Sequence, residues 1–158
     1  MIKIIAVGKI KEPSLRELIE EYKKRLTSYV KLSIVELADE PTGQNNSAAQ
    51  DELVKIKEGE RILSQIKEKE YVILLDLKGK MISSDQLAEK ISNLYTGSIS
   101  DITFVIGGSL GVSQAVINRA NYRWKLSDLT FPHQIVRLLL LEQIYRAYKI
   151  NYHEPYHK

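Results

Sequence analysis

The residues best suited to chemistry lie in the C-terminal half of the sequence, beginning with a glycine turn. The apolar run 102–106 leads into Gly107 and Gly108, and Gly111 follows after two residues. Glycines at the end of a strand let the backbone approach a ligand closely, and open α/β sheets bind ligands at the carboxyl ends of their strands. The run lacks the GxGxxG spacing and the downstream acidic residue of a dinucleotide site. It predicts a ligand-binding turn, with a plain tight turn as the alternative.

A short polar loop, residues 126–131, is a second candidate. Its backbone N–H and C=O groups are free to bind the edge of an adenine-like base, although Asp128 could serve only as a turn residue. His133 follows Pro132 at the start of a predicted helix. The helix dipole there lowers the pKa of the imidazole, so a neutral histidine can exchange a proton. The alternative for His133 is a purely structural role.

The C-terminal segment 151–158 is the third candidate. Tyr152, His153, Tyr156 and His157 surround a proline, and Lys158 ends the chain. Aromatic and histidine side chains stack on unpaired bases, and lysine contacts phosphates. No carboxylate accompanies the histidines at metal-ligand spacing, so no metal site is expected. The segment predicts a functional tail, with a disordered end as the alternative.

Alternating strands and helices position these candidates. Apolar runs predict strands at 2–7, 31–37, 71–77, 102–106 and 122–126, and helical periodicity predicts helices at 13–28, 48–67, 83–95, 113–118 and 132–150. This order favours an α/β fold with a mainly parallel sheet. In the second helix, Leu53, Ile56, Leu63 and Ile66 are expected to face inward. Residues 39–50 predict a mobile loop, and 78–80 predict a turn.

The last helix is apolar around most of its circumference, which predicts burial on two sides, by the sheet and by another subunit. The chain has 158 residues, 44% of them hydrophobic, which fits one domain over residues 1–158. It has no cysteine, a net charge of +3, no apolar run that could span a bilayer and no signal peptide. We therefore expect a soluble cytoplasmic protein that has neither membrane nor DNA as a partner. The lysine and arginine side chains need not bind nucleic acid, because they can equally form surfaces that contact only solvent.

An ordered set of short motifs covers nearly the whole chain. They lie at 6–9, 57–60, 75–76 with 79–80, 106–108, 129–133, 145–147 and 155–157. Taken together they resemble the bacterial large-subunit ribosomal RNA pseudouridine N3-methyltransferases, members of the SPOUT superfamily of α/β-knot methyltransferases. Residues 123–126 are bulkier and more basic than the residues expected before this loop in that family.

The resemblance implies a single-domain fold with a C-terminal trefoil knot, a homodimer, and S-adenosylmethionine as cofactor. It implies N3-methylation of pseudouridine 1915 of 23S rRNA on the assembled ribosome. The cofactor site it implies comprises Leu75, Gly107, Leu126, Ser127, Asp128, Leu129, Thr130 and Phe131.

The acceptor nitrogen carries a proton at neutral pH, so the reaction needs a base. The candidates are His133, Tyr152, His153, Tyr156 and His157, and Arg137 or Arg146 would stabilise the developing ring anion. The tail is preferred over His133, because it can close over the cofactor of its own chain or of a partner subunit. Two other classes compete with a methyltransferase. A non-catalytic RNA-binding module would need no cofactor cavity, and a nucleotide-binding oxidoreductase should show the missing dinucleotide fingerprint.

Overall fold

The computed structural model describes residues 1–158, which form one five-stranded sheet. The strands are β1 (Ile2–Val7), β2 (Leu32–Leu37), β3 (Tyr71–Lys80), β4 (Ile102–Ile106) and β5 (Tyr122–Trp124). They lie in the order β2-β1-β4-β3-β5, and every neighbouring pair is parallel. The carboxyl ends of all five strands therefore meet at one edge. This sheet confirms the predicted α/β class, whereas the knot stays a prediction.

Helices cover both faces of the sheet. They are α1 (Pro13–Leu26), α2 (Ala48–Ser64), α3 (Ser84–Thr96), α4 (Gln114–Arg119) and α5 (His133–Asn151). Because side chains alternate along a strand, Ile4 packs into a core with α1, α3 and α5, while Ile5 packs into a smaller core with α2 and α4. α5 lies between α1 and α3, against β4. No helix is long and apolar enough to cross a membrane.

β3 is longer than its sequence predicted. Residues 78–80, predicted as a turn, continue the strand, and Lys80 accepts a hydrogen bond from Lys125 N at 3.0 Å. The prediction was wrong because Gly79 lies against the backbone of Arg123, where a Cβ would stand 2.6 Å from the carbonyl oxygen. Only glycine allows that approach at this position. β5 is correspondingly shorter than predicted.

The inward face predicted for the second helix is confirmed in part, because Leu63 and Ile66 pack against the smaller core. Leu53 and Ile56 are 56% and 44% exposed, while Glu58, Gly59 and Ile62 are buried. The missing side chain of Gly59 lets α2 pack closely against the segment that precedes α4, so Glu58 and Gly59 are buried there. The predicted helix start at residue 48 is confirmed, so the last three residues of the predicted loop 39–50 belong to α2, which ends at Ser64.

Candidate active site

A cavity of about 370 Å³ opens at the carboxyl edge of the sheet. Its walls come from the end of β3 (75–78), the turn after β4 (106–112), the segment 124–131 and the first turn of α5. Its volume is within the range of small-molecule sites, and its lining is mostly apolar with a few polar groups. The glycine turn and the polar loop, far apart in sequence, therefore line one site.

The glycine turn forms one wall of this cavity. A Cβ on Gly107 would lie 2.5 Å from Val112 Cγ1, and a Cβ on Gly108 would lie 2.6 Å from Glu58 Oε1. Gly111 has a φ of +91°, which favours glycine. The turn thus brings bare backbone to the cavity surface, where a ligand can reach it.

The loop 126–131 forms the opposite wall. Leu126, Ser127, Leu129, Thr130 and Phe131 line the cavity, as does Leu75 from β3. The structure thus brings together all but one of the residues expected to bind a cofactor.

The exception is Asp128, which does not line the cavity. Its carboxylate forms an ion pair with Lys125 and its side chain is 72% exposed. This position fits the alternative of a turn residue better than that of a ligand contact.

The backbone of this loop offers free hydrogen-bonding groups. Ser127 Oγ accepts a hydrogen bond from Leu129 N at 3.0 Å. The N–H groups of Leu126, Thr130 and Phe131 have no acceptor within the chain. Backbone donors are normally paired, so these N–H groups are available to a ligand or to water at the cavity wall.

His133 lines the cavity where α5 begins. Packing around the imidazole lowers its pKa, the nearby Arg137 cation lowers it further, and the Gly107 backbone opposes this in part. The imidazole is therefore neutral at pH 7. It can accept a proton or orient a ligand, while part of its surface stays open to solvent.

Arg137, expected to stabilise an anion, is 2% exposed and does not line the cavity. Its guanidinium pairs with Glu36 at 2.6 Å and donates to Gly8 O at 3.0 Å. Glu36 also accepts from Ile10 N at 3.0 Å. This network fixes the carboxyl ends of β1 and β2 against α5, one turn beyond His133. The geometry thus gives Arg137 a positioning role rather than direct contact with a substrate.

The tail lies at the other end of α5. This helix has 19 residues, so it spans roughly 28 Å at 1.5 Å per residue. Tyr152 and His153 are exposed at its C-terminus, and no residue of 151–158 lines the cavity. Within one chain, the tail is therefore remote from the cavity.

The end of the tail folds back along α5. Tyr156 Oη donates to Glu142 at 3.1 Å, and His157 Nδ1 lies 3.1 Å from an Arg146 nitrogen. An arginine N–H can only donate, so Nδ1 is the acceptor and the imidazole proton belongs on Nε2, 3.5 Å from Asp85. Burial, with help from Tyr22 and Glu142, raises the pKa of Tyr156, whose phenol stays protonated.

His153 has a different environment. It adopts a left-handed conformation with φ of 54°. Its N–H donates to Ile150 O and the N–H of Glu154 donates to Lys149 O, both at 3.0 Å. These two bonds form a Schellman motif, whose left-handed position is usually glycine. The imidazole itself makes no hydrogen bond, so its lone pair is free.

Sequence analysis missed several residues of the site. Asp76 and Lys78 line the cavity because β3 continues past its apolar part, and Asp76 is paired with Arg123 at 2.6 Å. Trp124 also lines it, and its buried Nε1 has no partner. The motif at 75–76 was a signal for Asp76. No local signal indicated Trp124, whose place depends on the register of β5.

Comparison with known proteins connects this geometry to an activity. A family model described as a predicted SPOUT methyltransferase matches residues 1–157. Proteins from Clostridium novyi (strain NT) and Alkaliphilus oremlandii (strain OhILAs), both named Ribosomal RNA large subunit methyltransferase H, are 58% and 55% identical over 157 residues. Each alignment covers 99% of this chain and 99% of the relative.

Among solved structures, a probable methylase family protein from Haemophilus influenzae Rd KW20 is similar with a TM-score of 0.56. It is 14% identical, and the match covers 99% of this chain and 70% of that one. At this identity the likeness concerns the fold alone.

Proposed function

Because this chain belongs to the SPOUT methyltransferase family, we propose that it methylates N3 of pseudouridine 1915 in 23S rRNA, on the assembled ribosome, using S-adenosylmethionine. The observation that carries the proposal is the cavity at the carboxyl edge of the sheet, formed by the glycine turn and the loop 126–131. The relatives' names, which specify a methyltransferase of large-subunit ribosomal RNA, support the substrate class.

The residues of the cavity fit this cofactor. Gly107 and Gly108 line the cavity with backbone, and side chains at either position would collide with Val112 or Glu58. The unpaired N–H groups of Leu126, Thr130 and Phe131 match the acceptor nitrogens of an adenine edge. Apolar walls suit its aromatic faces. When bound, S-adenosylmethionine supplies an electrophilic methyl group on a sulfonium.

The protein must then remove the N3 proton of the acceptor ring. His153 is our preferred base, since its imidazole is exposed and has no partner. His157 is engaged by Arg146, and the raised pKa of Tyr156 makes its phenol a donor. Tyr152, which is 58% exposed, would stack on the extruded base. His133, neutral at the cavity, is the alternative base.

The distance between tail and cavity favours a site shared between two subunits. A 19-residue α5 keeps His153 roughly 28 Å from the cavity of its own chain. Large apolar residues stay exposed around the cavity mouth: Leu77 (62%), Leu129 (67%) and Ile135 (42%). In a homodimer these residues would be covered, and the tail of one protomer would reach the cavity of its partner.

Calorimetry and mass spectrometry test the activity. We expect S-adenosylmethionine to bind the isolated protein, and no binding would favour a non-catalytic RNA-binding module. Mass spectrometry of ribosomal RNA from cytoplasmic ribosomes should show that deletion of the gene removes one methyl group from one pseudouridine. Residues 1–158 form one sheet with its flanking helices, and we expect the ribosome to supply further contacts, so methylation should be much faster on ribosomes than on protein-free rRNA. Equal rates would contradict the ribosomal substrate.

Complementation tests the shared site. A chain lacking 152–158 should bind cofactor but not methylate, while Gly107→Leu should lose cofactor but keep its tail. After random mixing, half of the dimers are mixed and each has one complete site of two, so roughly a quarter of wild-type activity should return. A mixture as inactive as its components would contradict transfer across the dimer, and full activity of the truncated chain would refute a role for the tail.

A further inference from the structure

Two residues of α2 are not explained by its packing on the sheet. Glu58 is 4% exposed and Gly59 is buried, although Leu53 and Ile56 on the same helix are exposed. A buried carboxylate is unfavourable unless hydrogen bonds satisfy it, and glycine weakens a helix interior. The motif 57–60 therefore places two unfavourable residue types where α2 meets another part of the chain.

Glu58 contacts two loops at the carboxyl edge of the sheet. Its Oε2 accepts a hydrogen bond from Glu40 N, 3.0 Å away, in the loop that follows β2. Its Oε1 occupies the space beside Gly108, 2.6 Å from the position of a Cβ there. Gly108 lines the cavity. One carboxylate therefore touches both the glycine turn and the neighbouring loop.

Gly59 makes this contact possible. A Cβ at this position would collide with Ser113 Oγ and lie 3.3 Å from Val116 Cγ2. Ser113 is the N-cap of α4 and accepts from Val116 N at 3.4 Å. The missing side chain thus lets α2 lie directly against the segment 108–113.

Arg61, one turn after Glu58, completes the attachment of the loop. It donates to Ala38 O at 2.8 Å and forms an ion pair with Glu40. Burial raises the pKa of Glu58, the carboxylates of Asp39 and Glu40 raise it further, and the Glu40 N–H and Arg61 oppose this. The carboxylate is therefore held in place despite an environment that disfavours its charge.

We propose that Glu58 is a positioning residue, which holds the turn at Gly108 in the shape that the cofactor needs and couples this turn to residues 38–40. This inference rests on the proposed function, because the ligand of the cavity is taken to be S-adenosylmethionine. Since coupling between two sites is reciprocal, a bound cofactor should stabilise the hydrogen bond between Glu40 N and Glu58. Cofactor affinity and the order of the loop should then change together.

Three variants of one motif provide the test. Glu58→Ala leaves the Glu40 N–H without an acceptor and opens space under Gly108, so its affinity for S-adenosylmethionine should fall by about tenfold or more. Glu58→Gln keeps the volume and one acceptor oxygen, so it should stay within about threefold of wild type. Glu60→Ala is the matched control, because Glu60 is exposed on the same helix turn. Affinity is measured by calorimetry and folding by circular dichroism.

Hydrogen exchange at the Glu40 amide separates positioning from a merely structural role. In the wild type, exchange at this amide should slow when S-adenosylmethionine is added, and in Glu58→Ala this slowing should disappear. On ribosomes, Glu58→Ala should raise KM for the cofactor while kcat changes by less than about twofold.

The proposal would be overturned if Glu58→Ala bound S-adenosylmethionine with wild-type affinity. It would also be overturned if hydrogen exchange at the Glu40 amide of the wild type did not change when S-adenosylmethionine is added. If Glu58→Ala does not fold, Glu58→Gln and the wild-type exchange measurement still decide. If the wild-type protein binds no S-adenosylmethionine, the proposed function fails, and the positioning role fails with it.

Discussion

Replacing His153 with glycine should make the protein more stable and less active at once. His153 occupies the left-handed position of the Schellman motif at the end of α5, with φ of 54°. Strain in the backbone persists where a function needs the strained residue. The imidazole makes no hydrogen bond within the chain, so its contacts do not account for its presence.

The magnitude follows from the backbone conformation. A left-handed φ costs an L-residue about 1–2 kcal/mol, and glycine avoids this cost. Glycine also destabilises the folded state by roughly 0.5–1 kcal/mol, because it has more conformational freedom to lose from the unfolded chain. The difference spans about 0–1.5 kcal/mol. We therefore expect His153→Gly to raise the free energy of unfolding by about 0.75 kcal/mol, the middle of this range, which for a chain of this size corresponds to about 1.5–3 °C in Tm.

Urea unfolding and methylation of ribosomes measure the two effects. His153→Ala is the control, since it removes the imidazole but keeps the strain, and should lose activity with no gain in stability. A loss of at least about 100-fold in kcat is expected from removing a general base. If His153→Gly were less stable than wild type, the assignment of strain would be wrong. If it kept full activity, His153 would not be the base.

Two further predictions concern the cavity and the buried part of the sheet. Gly107→Ala places a Cβ 2.5 Å from Val112 Cγ1. Because overpacking costs about 1–3 kcal/mol, calorimetry should show cofactor binding weakened by about tenfold or more. A second substitution, Val112→Ala, should restore part of the lost affinity, and no restoration would contradict this account. Lys3→Met leaves Glu70 without the cation that lies 2.6 Å away, so urea unfolding at pH 7 should show a loss of about 3–5 kcal/mol. Burial alone would raise the pKa of Glu70, but the hydrogen bonds from Lys3 and Thr103 lower it. The ion pair therefore stabilises the folded protein fully above the ordinary pKa of glutamate, and this stabilisation is lost as the pH falls through the lowered pKa of Glu70. The difference in free energy of unfolding between Lys3→Met and wild type should therefore shrink in acid, and a difference that stays constant would refute the pairing.

Two of the mainly apolar strands were predictable to the residue. β1 and β4 have the predicted bounds because β-branched runs that are buried on both faces leave no ambiguity about where pairing ends. The C-terminal end of β3 was not predictable, because its polar residues 78–80 join the sheet only where β5 lies beside them. The predicted inward face of α2 was wrong at Leu53 and Ile56, which are exposed, and right at Leu63 and Ile66. Helical periodicity identified apolar residues, but the close approach at Gly59 determined which side meets the sheet.

Part of the candidate site was predictable for a simple topological reason. In an all-parallel sheet, the segments after β3, β4 and β5 must emerge at the same edge, so ligand-competent turns at 107–111 and 126–131 could be expected to meet. The buried placement of Arg137 could not be predicted. Its pairing with Glu36 joins residues 101 positions apart, and no local pattern encodes such a contact.

The length of α5 links the two halves of the proposed mechanism. His133 at its start lines the cavity, and Tyr152 follows its end, so every residue of the helix adds about 1.5 Å to their separation. α5 packs between α1 and α3 across the sheet. A strained histidine at the far end would then have no use within an isolated chain. In the proposed homodimer a second chain would present its own cavity there. The left-handed conformation of His153 and the exposed apolar residues near the cavity mouth would then both have a role.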